Sequence, residues 1–146
     1  MNRVVITGLG VISCLGNNHD EVLNSLQKSK SGLSINQDYI DNGMRCHVSG
    51  QVDPDLSVID RKMLRFMSET SAYAFLSTKE AITDAGLKPE EVSNDEVGVI
   101  VGSGTGSSRE LKNVVDTARE KGVKRVGPYA VTRTMGNTTS AAISTF

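Results

Sequence analysis

The sequence predicts an α/β fold with a parallel sheet. Two short runs without charged residues, at 4–7 and 97–101, have the β-branched, apolar character of buried strands. Amphipathic helical patterns lie between and after these runs, and no internal repeat interrupts the 146 residues. The resulting order of strand, helix, loop, helix, strand and two further helices is typical of a parallel sheet covered by helices.

The first strand is expected to end at Gly8, where a tight turn begins. A helix is then predicted over 20–26, because apolar positions recur there among acidic and polar residues. Asn17 or Asn18 would cap its start, and Gly32 lies just beyond its end.

Residues 33–57 are rich in Gly, Asn, Asp and Ser and predict irregular structure, with a weak edge strand over 47–52. The longest helix is expected to begin at Asp60 and to end before Gly86 and Pro89. Its apolar face would consist of residues spaced three and four apart, namely Met63, Phe66, Met67, Ala74, Phe75, Ala81 and Ile82.

A glycine-rich turn, 102–108, follows the second strand. Ser107 and Glu110 have the spacing of a capping box, which predicts the start of another helix that ends at Gly122. The chain then becomes rich in small residues, and its helical run reaches Phe146 without a stop signal. We therefore expect the chain to be the first part of a larger folding unit.

The amino-acid composition argues against several classes of protein. The chain carries 16 basic and 17 acidic residues, so it lacks the positive excess of a nucleic-acid-binding domain. No apolar window is long enough for a membrane span, and the start does not resemble a signal peptide. Two cysteines form no disulfide framework and no metal spacing. A cytoplasmic protein without a metal, a cofactor, a nucleic-acid partner or a membrane contact is expected.

The first turn, Gly8-x-Gly10-x-x-Ser13, comes near the dinucleotide fingerprint, in which glycines let a pyrophosphate approach a helix. Its third glycine is missing, and Lys28, Ser29 and Lys30 lie where an acidic residue would bind the ribose. A nucleotide-binding oxidoreductase domain and a merely tight strand exit both remain open.

The second turn, 102–108, resembles a phosphate cradle but lacks the lysine of a P-loop. Close backbone approach to an uncharged ligand and a turn that only provides flexibility and a helix cap both remain open. Cys14 and Cys46, with His19 and His47, are candidates for nucleophilic catalysis. Cys14 is expected to be a buried, inert thiol among apolar neighbours. The adjacent pair Cys46 and His47 would point apart.

Two groups of basic residues complete the candidates. Arg61, Lys62 and Arg65 lie on the first turns of the long helix, where they oppose the helix dipole. Lys121, Lys124 and Arg125 form the second group. Each group is either a solvated face or the docking surface of an acidic partner.

Taken together, these segments resemble the condensing-enzyme, or thiolase-like, family and its β-ketoacyl synthase branch. The resemblance runs from Met1 to Phe146. It is carried by Val5-Ile-Thr-Gly-Leu-Gly10, Gly16-Asn-Asn18, Ser31-Gly32, Gly43-Met-Arg45, Ile59-Asp-Arg-Lys62, Arg65-Phe-Met-Ser68, Ala81-Ile-x-Asp-Ala-Gly86, Gly102-Ser-x-x-Gly106 and Val126-Gly-Pro-Tyr129.

The resemblance implies a five-layered αβαβα fold of two similar halves, of which 1–146 is an incomplete N-terminal part, and a homodimer. It also implies a decarboxylative Claisen condensation between an acyl thioester and malonyl-carrier protein. The nucleophilic cysteine would follow Phe146, and neither Cys14 nor Cys46 takes its place. The two histidines and the lysine that support decarboxylation would lie in the second half of the fold. The chain alone is therefore expected to be inactive, and a non-catalytic fragment or paralogue that keeps dimer and carrier contacts is an open alternative.

The resemblance also assigns binding residues. The acyl pocket would include Gly104, Thr105 and Met135, with Ala130 and Val131 nearby on the dimer-facing stretch. An acidic acyl carrier protein would dock on a basic patch formed by Arg61, Lys62, Arg65, Lys121 and Lys124.

Overall fold

The computed structural model describes residues 3–146, and its architecture is dominated by helices. The helices are α1 (His19–Gln27), α2 (Gln37–Asp41), α3 (Arg61–Leu64), α4 (Glu69–Asp84), α5 (Pro89–Val92), α6 (Ser108–Lys121), α7 (Ala130–Thr134) and α8 (Thr138–Thr145). Two strands, β1 (Leu33–Ile35) and β2 (Val48–Gly50), and two 3-10 turns, Leu56–Val58 and Val123–Arg125, complete the assigned elements.

The two predicted core strands do not form a sheet in the described part of the chain, so this prediction is wrong for residues 3–146. Residues 4–7 and 97–101 pair neither with each other nor with another segment there. Val4, Ile6 and Ile100 are 94%, 82% and 99% exposed. An apolar run becomes a strand only where a neighbour accepts and donates its backbone hydrogen bonds, and no such neighbour is present among these residues.

The predicted edge strand is confirmed and has a partner. β2 pairs antiparallel with β1, with Leu33 opposite Gly50 and Ile35 opposite Val48. Neither β1 nor the short helix α2 between the strands was predicted, because three- and five-residue elements carry too little periodicity. Asn36 caps α2 through a hydrogen bond from the Tyr39 amide and so ends the first strand of this ribbon.

The longest predicted helix is two helices. Asp60 caps α3, and its carboxylate accepts from the Lys62 amide at 2.6 Å. The backbone then leaves the helix, and Ser68 caps α4 with an extended ψ of 170°. The Ser68 hydroxyl accepts from the Ser71 amide. The three- and four-residue spacing of apolar residues continues through this break. Hydrophobic periodicity alone therefore predicted one continuous helix, and the cap at Ser68 divides it.

The small core lies between α4 and α8. Ile59, Met67, Ala72 and Ala142 are buried there, with Leu56, Leu64 and Phe75 among the residues packed around them. Small residues at the helix contact let the two backbones approach closely. Ser71, which is 1% exposed, makes a hydroxyl contact of 3.3 Å with Thr139 across this contact. The buried polar groups of the interface thus satisfy one another.

The other predicted helix ends are confirmed at α1 and α4 and only partly confirmed at α6. Asn18 caps α1 by accepting from the Glu21 amide, and Gly86 follows α4 in the left-handed region at φ 66°. Ser107 caps α6, but the other half of the predicted capping box is absent. The Glu110 carboxylate instead lies 3.7 Å from the Arg133 guanidinium. A tertiary ion pair has replaced the local hydrogen bond.

Within residues 3–146, every helix is too short or too polar to cross a lipid bilayer.

Candidate functional site

The first glycine turn is a packing contact with α4. A Cβ on Gly8 would overlap the Ala81 carbonyl, and a Cβ on Gly10 would overlap the Ser77 carbonyl. Both glycines are therefore needed for close approach between two segments of backbone. The sequence predicted a tight turn here, and the neighbouring helix supplies the reason.

Two carboxylates of α4 accept hydrogen bonds from backbone amides of this turn and of the first residue of α1. Asp84 accepts from the Leu9 amide at 2.9 Å. Glu80 accepts from the Val11 amide at 2.8 Å and from the His19 amide at 2.6 Å. A dinucleotide site needs such amides free for a pyrophosphate, which would also meet two negative charges here. This geometry is incompatible with the nucleotide-binding alternative.

The second glycine turn is fastened beside the junction of α7 and α8. Gly106 has a left-handed φ of 63°, and its carbonyl accepts from the Thr70 hydroxyl at 3.4 Å. A Cβ on Gly106 would lie 3.0 Å from the Thr134 carbonyl and 3.3 Å from the Gly136 Cα. The turn that carries Gly104 and Thr105 therefore lies next to the junction at Met135.

Of the five predicted acyl-pocket residues, four are exposed. They are Gly104, Thr105, Val131 and Met135, and Gly104 has open space where a side chain would be. Ala130 is half-buried and lines a groove between α6 and residues 125–133. The structure thus brings Gly104, Thr105 and Met135 to one corner and leaves Ala130 on a different surface.

The predicted basic residues are all exposed, on α3, at the end of α6 and in the following 3-10 turn. Two contacts connect the α3 side to the segment after α6. The Arg65 carbonyl accepts from Arg133 Nε at 2.9 Å. The rings of Phe66 and Tyr129 meet edge to face with centroids 4.8 Å apart. The first basic group immediately precedes Phe66, and the second lies on α6 and the 3-10 turn that lead into Tyr129. Both groups therefore lie on elements next to the contact between Phe66 and Tyr129.

The cysteines offer no catalytic pair in the described part of the chain. Cys14 is exposed, so the prediction of a buried thiol is wrong. Its sulfur lies in the space that side chains on Gly32 and Gly50 would fill, against the β1–β2 ribbon. Cys46 is also exposed, and its thiol faces the Val48 carbonyl at 3.6 Å. Neither thiol is hydrogen-bonded to a histidine among residues 3–146.

A groove of about 250 Å³ was not predicted. One wall is the face of α6 formed by Glu110, Asn113, Val114 and Thr117, which are spaced three, four and seven residues apart. The other wall comes from residues 125–133. Sequence reasoning assigned Val114 to an apolar helix face, but it could not show that a later segment stops short of covering that face.

The fold and the match along the chain define the class of protein. Residues 1–146 match the family described as "Beta-ketoacyl synthase, N-terminal domain", and the chain belongs to this family. A crystal structure of a β-ketoacyl synthase from Burkholderia phymatum STM815 superposes with a TM-score of 0.82 at 27% identity. That likeness covers 99% of this chain and 36% of the other, and it confirms the predicted thiolase-like α/β class.

Particular relatives carry a more specific name. The chain is 51% identical over 148 residues to "3-oxoacyl-[acyl-carrier-protein] synthase 1" of Escherichia coli K12. It is 48% identical over 147 residues to the protein of that name from Haemophilus influenzae. Each match covers 99% of this chain and 36% of the relative, so the chain spans about a third of these proteins.

A further solved structure shares the fold at a TM-score of 0.72 and 20% identity. It is a type II polyketide ketosynthase in complex with its acyl-carrier protein, and the match covers 96% of this chain and 37% of that one.

Proposed function

We propose that this chain supplies the N-terminal part of a 3-oxoacyl-[acyl-carrier-protein] synthase of fatty-acid elongation. The observation that carries the proposal is the 48–51% identity to synthases of that name along 99% of the chain. In the proposed reaction, a cysteine thiolate attacks an acyl thioester, and the acyl-enzyme thioester forms as the thiol of the acyl donor is released. Malonyl-carrier protein loses CO₂, and the resulting carbanion attacks the acyl carbonyl and releases the thiolate.

The role of this chain in that reaction is binding. Its two cysteines, Cys14 and Cys46, lie against the β1–β2 ribbon and near the Val48 carbonyl, without a histidine hydrogen bond among residues 3–146. We therefore place the nucleophile outside 1–146 and describe this range as a partial β-ketoacyl synthase domain.

An acyl chain would be bound at the corner formed by Gly104, Thr105 and Met135. The contact between Gly106 and the Thr134–Gly136 backbone supports this assignment, because it holds the two segments side by side. The free space at Gly104 leaves room for an apolar ligand against the backbone. Ala130 and Val131 would form the rest of a dimer-facing stretch, and the exposure of Val131 and Met135 suits a surface covered by a second subunit.

The carrier protein would dock on the basic patch of Arg61, Lys62, Arg65, Lys121 and Lys124. All five side chains are free of ion pairs among residues 3–146 and are therefore available to an acidic partner. The complex of the polyketide ketosynthase with its acyl-carrier protein provides a precedent in the same fold. Summed charge would act mainly by steering the partner to the site.

A chimera tests the proposal. Residues 1–146 replace the aligned segment of the Escherichia coli synthase, which keeps the rest of that enzyme. We expect the chimera to release CO₂ from malonyl-carrier protein and to form the β-ketoacyl product. The purified 146-residue chain serves as the matched control and should release no CO₂ above the blank.

The chimera also separates the alternatives. A folded, dimeric chimera that binds carrier protein but forms no product would favour a non-catalytic module that keeps only dimer and carrier contacts. A folded chimera that neither binds carrier protein nor condenses would contradict both functions.

A further inference from the structure

The groove between α6 and residues 125–133 has two chemically different ends. At one end Arg133 is already neutralised, because it lies 3.7 Å from the Glu110 carboxylate and donates to the Arg65 carbonyl at 2.9 Å. Thr117 lies two helical turns further along α6, about 10 Å from Glu110 along the helix axis. The far end is thus separated from this ion pair.

Arg125 also lines the groove and forms no ion pair with a carboxylate among residues 3–146. Its side chain is exposed. The 3-10 turn that carries Arg125 packs on α6. Asn113, Thr117 and Tyr129 also line the groove, and each can donate a hydrogen bond.

The groove also contains an apolar strip. Val114, Val126 and Ala130 line it, and each is only partly buried. Their remaining exposure leaves apolar surface that a ligand could remove from water. The combination is an unpaired guanidinium beside an apolar strip, which is the complement of an apolar chain that ends in one negative charge.

We propose that this groove binds a small apolar monocarboxylate, with its carboxylate on Arg125 and its hydrocarbon chain along Val114, Val126 and Ala130. Arg125 and Arg133 together with Glu110 give the lining a net charge of one positive unit, which a single carboxylate neutralises. Of the predicted acyl-pocket residues only Ala130 lines this groove, and the corner at Gly104 and Met135 contributes no lining residue, so the two sites are separate.

The test is a titration of the 146-residue chain with hexanoate, followed by the NMR signals of the Val114, Val126 and Ala130 methyl groups. We expect a saturable shift of these signals with a Kd of about millimolar. Arg125→Gln should raise that Kd by about tenfold, because it removes the charge-assisted hydrogen bonds. Arg119→Gln is the matched control, since Arg119 is an exposed arginine of α6 outside the groove lining, and its loss should leave the Kd unchanged.

Two further ligands test the chemistry on the unaltered chain, so the proposal does not depend on the folding of a variant. Hexanol lacks the carboxylate and acetate lacks the hydrocarbon chain, and each should bind at least several-fold more weakly than hexanoate. Equal binding of hexanol, equal binding of acetate, or equal binding of hexanoate by the Arg125→Gln chain would overturn the proposal. No catalytic activity is measured, so failure here is distinguishable from failure of the proposed synthase function.

Discussion

At the scale of single residues, backbone contact explains why glycine stands at particular positions. Gly8 and Gly10 rest on the carbonyl groups of α4, whereas Gly98 has open space around its Cα and no left-handed φ. The same residue type therefore has different structural roles along the chain. A substitution at each kind of site distinguishes them.

Gly10→Ala should destabilise the fold by ~1–3 kcal/mol, because the new methyl group meets the Ser77 backbone, which cannot rotate away. Gly98→Ala is the matched control, and it should change the free energy of unfolding by less than about 1 kcal/mol. Urea unfolding of both variants measures the difference. Equal stability of the two variants would show that the turn does not rest on α4.

The pKa of the Tyr73 phenol reflects the partial burial of its side chain. Burial raises the pKa of the Tyr73 phenol, and the nearby Glu69 carboxylate raises it further, while Arg109 partly opposes them. The unfolded chain therefore loses this proton at a lower pH than the folded chain. Stability contributed by Tyr73 is complete below the ordinary tyrosine pKa near 10 and is lost as pH rises through the folded value.

We expect an ultraviolet titration to show one late-ionising phenol that disappears in Tyr73→Phe. The variant should also lose less stability between pH 9 and 11 than the unaltered chain. A late-ionising phenol that persists in Tyr73→Phe would contradict this assignment.

At the scale of elements, tertiary partners decide how local signals are used. The apolar periodicity of 60–86 continues through a break at Ser68, where a side-chain cap ends one helix and begins the next. The Glu110 carboxylate leaves its capping box for Arg133. In the same way, Glu80 and Asp84 turn from the surface of α4 to the amides of the preceding glycine segment.

Glu80→Gln should loosen the segment that precedes α1, because the amide keeps one acceptor oxygen where the carboxylate has two. Hydrogen bonds to a charged group contribute ~1.5–3 kcal/mol each, so the Val11 and His19 amides should exchange with solvent at least tenfold faster. Glu96→Gln is the matched control, since its side chain has no such partner within residues 3–146. Unchanged exchange at both amides would contradict a fastening role for Glu80.

At the scale of the whole molecule, charge and exposed apolar surface dominate. The net charge is only −1, yet the basic residues of the proposed docking patch lie on elements next to the contact between Phe66 and Tyr129. Individual exposed ion pairs contribute ~0.2–1 kcal/mol, so a partner would respond to the sum of these charges.

Replacing Arg61, Lys62 and Arg65 by Glu in the chimera should lower the association rate with carrier protein far more than it lowers the melting temperature. The loss should shrink as salt rises, because the Debye length falls from ~10 Å at 0.1 M to ~3 Å at 1 M. Replacing Lys28, Lys30 and Lys88 by Glu makes the same change in net charge elsewhere and is the control. Equal losses for both triple variants would identify general charge, not a docking patch.

The sequence by itself determined the class of protein and three helix caps. Asn18, Asp60 and Ser107 act locally through their own backbone neighbours, so their roles are readable from a few adjacent residues. The order of short motifs from Met1 to Phe146 likewise sufficed for the family. The acyl and docking residues stay predictions.

Only the tertiary structure decided which segments find partners. Strand character at 4–7 and 97–101 is a property of the residues, but a sheet requires a second strand that local sequence cannot specify. The carboxylates that occupy the first glycine turn come from residues more than sixty positions away. The groove beside Arg125 exists because two segments approach without closing, which is a matter of distance in space and not of residue pattern.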